Sequence, residues 1–292
     1  MMHDRQGAEI SDVSKGIVLS KLVGFGLLAP LLVLIGVFFV GALLSLVVEL
    51  AQDGVLAGAE VFATILSKSL FQTVAFRSFR IAFIVTVITV VLGYAAAYAI
   101  WRSSPRVRII CLALVLFPLF TSVVVRTYAW TTLFSRKGMI NTVLLDLGLI
   151  DAPLRMLNTE PAVFVGLVQV MLPFAILPIY TILLRVDMDL LRASAITGAR
   201  GWQTFVHILL PLTKQGTAVA SILVFVVSLG FFITPAILGG PRVSMISNLI
   251  STEVTTFLDL KDGGAMSLLL LGITIGLLAV ASRIGRISDH FK

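Results

Sequence analysis

Residues 185–214 read RVDMDLLRASAITGARGWQTFVHILLPLTK. The stretch lies between two long apolar runs, 161–184 and 215–238. Most links between elements have ~4–6 residues, so this one is long for a mere connection. Its composition is not loop-like either. Asp187 or Asp189 can cap a helix that Leu190, Leu191, Ala193, Ala195 and Ile196 continue. Gly198 then ends it, because glycine enters positive φ without a Cβ penalty. A second short helix is predicted from about Trp202 to Leu209, with Phe205 and Ile208 on one side. Pro211 either stops that helix or starts the next run. Two short amphipathic helices thus meet at a glycine corner. Their apolar side chains either lie on a lipid surface or fill a groove of another protein.

Outward from this stretch the chain is dominated by apolar runs at 22–48, 81–101, 109–125, 161–184, 215–238 and 264–282. The fourth is expected to be broken by Pro173 and Pro178, and the fifth carries Gly230 and Pro235. A spanning helix needs ~20 predominantly apolar residues. The runs lack period-two alternation, which excludes a sheet. The whole chain agrees: of 292 residues, 58% are hydrophobic and 13% charged, at a mean hydropathy of +1.06. Soluble domains are ~45–50% apolar and ~25% charged. The predicted fold is an all-α integral membrane protein of six transmembrane helices, with a cytoplasmic loop between helices four and five. The first run is too long for the ~7–15-residue core of a signal peptide and is kept as a membrane helix. The expected organisation is a cytoplasmic segment 1–21, a transmembrane domain 22–284 containing the loop 185–214, and a cytoplasmic tail 285–292.

Orientation follows from the basic residues. With the N-terminus inside, segments 1–21, 102–108, 185–214 and 283–292 hold thirteen Lys and Arg against six acids. The outer segments hold nine of each, Arg126, Arg136 and Lys137 among them. The net charge is +7 inside and zero outside, so both termini are expected in the cytoplasm. A basic balance of this kind orients a membrane protein and implies no nucleic-acid partner.

Several chemistries are excluded. Cys111 is the only cysteine, and His3, His207 and His290 are the only histidines, so neither a disulfide framework nor a metal centre is expected. No G-x-x-x-x-G-K-S/T loop occurs to cradle phosphates. The runs contain no Asp, Glu or Lys, which argues against carboxylate-based ion coupling and against an intramembrane enzyme. No catalytic residue is expected in this chain, and energy, if any is used, must come from a partner.

Arg192, Ala193, Ser194, Gly198, Ile208, Leu210 and Pro211 fit the frame E-A-A-x3-G-x9-I-x-L-P, with Arg192 in place of Glu and Ser194 in place of Ala. This resembles the cytoplasmic loop of the membrane subunits of binding-protein-dependent ABC importers. Residues 92–102 (LGYAAAYAIWR), Arg126–Trp130 (RTYAW), Gly138–Asn141 (GMIN) and 229–241 (LGFFITPAILGGP) look like the spermidine/putrescine-type branch. The resemblance covers roughly residues 20–285. It implies a permease subunit, not an enzyme, that passes a polyamine or related amine- or opine-like solute. An extracytoplasmic solute-binding protein would deliver the solute. A second, related permease would complete the pathway, a heterodimer being favoured. Cytoplasmic ATPase subunits would bind ATP and Mg, this chain carrying no cofactor. The residues expected to meet the ATPase are Asp189, Leu190, Leu191, Arg192, Ala193 and Ser194 on the first arm. Gly198, Ala199, Phe205, Ile208, Leu210 and Pro211 follow on the corner and second arm. The other reading is a secondary transporter or channel, which gives this loop no role and needs an inverted repeat or coupling-ion residues.

For the pathway, Gly230, Phe231, Thr234 and Pro235 mark a break at the end of span five, tolerated where backbone is packed in protein or lines a cavity. Gly230 alternatively permits close helix packing. Gln169 and Tyr180 on span four are further candidates. Tyr128, Trp130 and Trp101 lie near run ends, as aromatic-belt or substrate-stacking residues do.

Overall fold

A computed structural model of the chain describes residues 26, 28–50 and 55–289. The expected N-terminal segment 1–21 and the last residues of the tail lie outside these. The chain divides into two units, Met1–Val61 and Phe62–Lys292. In the first, α1 spans Leu28–Leu50. The chain then continues through α2 (Val55–Ser67) to α3 (Ser69–Arg102), α4 (Pro105–Leu116), α5 (Val123–Phe134), α6 (Met139–Asp146) and α7 (Glu160–Leu183). After these come α8 (Met188–Ile196), α9 (Gly201–Thr204), α10 (Leu210–Leu229), α11 (Ile246–Thr252) and α12 (Leu260–Asp289). No strand occurs among the described residues. Five of the helices are long and apolar enough to cross a membrane, or six if a bent pair counts as one.

The core of the second unit is α3, α7 and α10. Small residues let the three backbones approach, as membrane helices require. A Cβ on Gly93 of α3 would lie 2.7 Å from that of Ala175 on α7. One on Gly216 of α10 would lie 2.5 Å from the Ile182 side chain and 3.1 Å from the Pro178 carbonyl. Ile81, Leu167, Met171, Ile179, Ala220 and Val224 fill the space between. Polar ties fix the register. The Thr213 hydroxyl donates to the Leu209 carbonyl at 2.8 Å, so Tyr94 donates to Thr213, also at 2.8 Å. Arg80 pairs with Glu160 at the N-terminal end of α7, and Lys68 pairs with Asp262 of α12. The pairing with Asp262 holds the Lys68 ammonium above its usual range.

Four expectations about the runs are corrected. The second run is much longer than its apolar part: α3 has 34 residues, or about 51 Å, against a hydrocarbon core of ~30 Å. Its first turns hold Gln72, Thr73, Arg77 and Arg80, which a hydropathy boundary excludes but a helix accepts. The third run is not one straight helix. Pro118 sits in a 3-10 turn at Phe117–Phe120, Thr121 is extended, and the chain turns by 97° into the segment that begins with α5. The fourth run is not broken, since α7 passes through Pro173 and Pro178 as one helix. Burial of Ala175, Ile176 and Ile179 against its neighbours holds it together where the local rule predicts a stop. The second arm of the inner loop is not a separate helix either. Gly201–Leu229 is one 29-residue helix. Pro211 cannot donate to the His207 carbonyl, and the helix widens into a π turn at Phe205–Leu209, where the Leu210 N–H reaches back to the Phe205 carbonyl.

Candidate functional site

The inner loop is built from its own short-range bonds. Asp187, rather than Asp189, opens α8, its Oδ1 accepting the Asp189 N–H at 2.9 Å. Gly198 closes it with φ +78°. The Ala199 N–H then returns to the Ser194 carbonyl at 3.1 Å, the long bond of a Schellman turn. Nothing lies within 4 Å of a Cβ placed on Gly198, so the demand there is one of backbone conformation and not of space. Gln203 accepts the Arg200 N–H at 2.7 Å and opens α9. Between α8 and α9 lies an open groove of about 710 Å³, lined by Leu190, Ala193, Thr197, Gln203, His207 and Ile208 among others.

The two arms of the loop are tied to each other and to the core by separate contacts. The Ser194 hydroxyl donates to the Leu191 carbonyl at 2.8 Å, and the Thr204 hydroxyl therefore donates to Ser194 at 3.0 Å, joining the two arms. Phe205 is held edge-on by Tyr94 and Tyr98 of α3, with ring centroids 5.5 and 6.3 Å apart. Leu191 packs on the same core. Ile196 and Trp202 point outward, with 86% and 60% of their surface exposed. Arg192 is exposed and its Nη1 meets Asp189 Oδ1 at 2.9 Å. Leu210 and Pro211 belong to the start of α10.

The break after α10 has a definite cause. Gly230 caps the helix, is exposed, and has open space where a Cβ would be, so close packing is not its purpose. Pro235 has no N–H to give the Phe231 carbonyl. Ser247 of α11 supplies the missing donor at 2.8 Å, and Asn248 Nδ2 adds a bond to the Phe232 carbonyl at 3.0 Å. Ser78 of α3 accepts the Ile246 N–H at 2.8 Å and fixes α11 in turn. Gly240 has φ +56°, and a Cβ there would meet Asn158 Oδ1 at 2.5 Å.

The residues expected along the pathway do not form one cluster. Thr234 and Pro235 are buried, and a Cβ on Gly166 of α7 would strike Thr234 at 2.6 Å. Thr234 lies 3.4 Å from Thr127 of α5, hydroxyl to hydroxyl. Tyr180 and Trp101 are buried core residues. Trp130 stacks on Phe134 at 5.1 Å, and Tyr128 is exposed. Phe231 packs half-buried against the core. Gln169 is among the residues lining an apolar cavity between α4 and α7. Sequence reading missed Ser247 and Asn248, and named Asn141 only as part of the Gly138–Asn141 element. Asn141 is fully buried, donates to the Ser135 and Leu154 carbonyls and accepts the Leu154 N–H at 2.8 Å, so the Gly138–Asn141 element pins a loop. Among the described residues no cluster could hold a metal ion.

No family model matches the chain. It is 35% identical over 212 residues to the spermidine/putrescine transport system permease protein PotB of Haemophilus influenzae, covering 73% of each chain. With the PotB protein of Escherichia coli the identity is 35% over 217 residues, covering 74% of this chain and 78% of the other. The fold matches a chain of a bacterial alginate ABC transporter, solved in complex with an alginate pentasaccharide-bound periplasmic protein. The TM-score is 0.75 at 16% identity, over 93% of this chain and 96% of that one. A multi-pass helical chain with this identity, over this length, belongs to the permease subunits of binding-protein-dependent ABC importers, in their spermidine/putrescine-type branch.

Proposed function

We propose that this chain is one membrane subunit of an ATP-driven importer for a polyamine or a related amine- or opine-like solute. The observation that carries the substrate class is the 35% identity to permeases named for spermidine and putrescine. A solute-binding protein delivers the solute to the outer face, and a second, related permease completes the pathway. Both termini lie in the cytoplasm. The groove between α8 and α9 receives a cytoplasmic ATPase, which binds ATP and Mg in its own chain.

The geometry supports a mechanical role for the loop. A push on α8 is carried to α9 by Ser194 and Thr204 and to α3 by the clasp on Phe205. The helix Gly201–Leu229 extends that push by about 44 Å to the break at Gly230. Closure of the ATPase dimer therefore has a stiff route to the pathway side of the chain. The test is a binding screen on the cognate solute-binding protein, followed by uptake of its ligand into vesicles holding the complete complex. ATP-dependent uptake of an amine is the expected result. A binding protein selective for a sugar or an anion would overturn the substrate class.

A further inference from the structure

The outer end of the second unit carries cations that its own contacts do not use. Arg136 and Lys137 follow α5, Arg155 stands in the loop between α6 and α7, and Arg242 lies in the turn Gly240–Val243. All four are exposed, and among the described residues none of them is paired with an acid. With both termini in the cytoplasm, they stand where membrane insertion disfavours basic residues. The backbone beneath them is fixed. Asn141 Nδ2 donates to the Ser135 carbonyl at 3.0 Å and to the Leu154 carbonyl at 3.1 Å, each one residue before an arginine. At the far end of the loop the Asn158 N–H donates to the Leu238 carbonyl at 2.8 Å, with Asn158 held at φ +60°. Asn158 Oδ1 fills the space beside Gly240, two residues before Arg242. Two asparagines thus join three separate segments into one basic platform. Asp146 and Asp151 stand on the same loops and offset two of the four charges. Other acids of this end are engaged: Glu160 pairs with Arg80, and Asp262, Glu253 and Asp259 act on Lys68. Met139 and Leu154 lie exposed among the cations. Apolar side chains within a polar rim are the make-up of a protein interface.

We propose that this platform is a docking surface for the solute-binding protein, and that the face it receives is acidic. The inference rests on the importer reading above. A guanidinium takes a carboxylate through two parallel N–H bonds, and three of the four cations are arginines. Held on fixed loops, they match carboxylates at a fixed spacing on a folded partner. A lipid headgroup diffuses to any cation and requires no such fixing. Exposed charge pairs add little to affinity, but they raise the rate of encounter and set its orientation. A binding protein must leave after each delivery, so a surface that speeds arrival without slowing departure suits it.

The experiment uses the complete importer in vesicles and reads uptake against the concentration of its loaded binding protein, at low and at high salt. In the wild type the KM for binding protein should rise with salt, because exposed charges are screened. Arg136→Glu, Lys137→Glu and Arg155→Glu together should raise that KM about tenfold at low salt and flatten its salt dependence, with the rate at saturating binding protein within about twofold of wild type. Arg155→Gln leaves the loop's backbone bonds in place and should show a smaller effect of the same kind. An unchanged KM and salt dependence in the triple variant would overturn the surface. A lower saturating rate at unchanged KM would also overturn it, and would assign these residues to the fold. So would an effect of the substitutions that vanishes in vesicles without anionic lipid, which would assign the cations to headgroups. A wild-type complex whose ATP-driven uptake needs no binding protein would overturn the importer reading and this surface with it.

Discussion

Ser194 and Thr204 stand ten residues apart, and their hydroxyls, 3.0 Å from each other, join the two arms of the inner loop. Ser194 is only 7% exposed, so this bond is sheltered from water. It should contribute about 1 kcal/mol. A double-mutant cycle with Ser194→Ala and Thr204→Val, read by thermal unfolding of the purified complex, is expected to show coupling of that size. Ser194→Ala restores the residue usual in the importer loop, so its effect on uptake should be mild. Strictly additive losses in the cycle would show that the two arms are held by other contacts.

Gly198 is expected to be far less tolerant. Its φ of +78° costs an L-residue roughly 1–2 kcal/mol, and the surrounding space cannot be blamed, being open. Gly198→Val should leave the protein in the membrane yet reduce uptake and raise the ATP hydrolysed per solute. Gly198→Asn, which tolerates the left-handed region, should fall between the two. Wild-type coupling in Gly198→Val would favour the lipid-surface reading of α8.

Removing the Ser247 hydroxyl leaves the Phe231 carbonyl without a donor. Ser247→Ala should destabilise the complex by about 1–3 kcal/mol. Pro235→Ala returns a backbone N–H one turn along, so the double variant should recover part of the loss. If Ser247→Ala unfolds at the wild-type temperature, another group or water serves that carbonyl.

Topology can be read with single cysteines in a Cys111→Ala background. Thr197 and Asp151 are both exposed and lie on opposite sides of α7 in the sequence. Asp151→Cys should react with an impermeant thiol reagent added to intact cells, and Thr197→Cys should react only after permeabilisation. The opposite pattern would invert the charge-based orientation.

What was legible in the sequence was local. The corner at Gly198 and the reach of α8 depend on residues within a dozen positions, and the pattern shows them. Proline was read less well. The same local rule predicts a break at Pro173, Pro178 and Pro235, yet only near the last is the chain interrupted, α10 ending at Leu229. The difference lies in what packs nearby. Pro173 and Pro178 sit in a helix buried against α3 and α10, while Pro235 follows an exposed Gly230 and faces donors from α11. The start of α3 was misplaced for a related reason, since hydropathy marks where lipid would begin and not where a helix does. Tyr180 and Trp101 looked like pathway or belt residues because aromatic identity alone does not show whether a ring faces the core.

The bond between Ser247 and Phe231 also bears on the order in which the chain is made. Synthesis passes residue 231 sixteen residues before the donor at 247 exists, and Pro235 has no N–H to serve as the helical donor one turn along. The end of span five is therefore completed only when α11 packs beside it. Its final shape waits on the arrival of α11, which Ser78 anchors from the other end of the chain's second unit. A chain truncated before residue 247 would lack this donor for the Phe231 carbonyl.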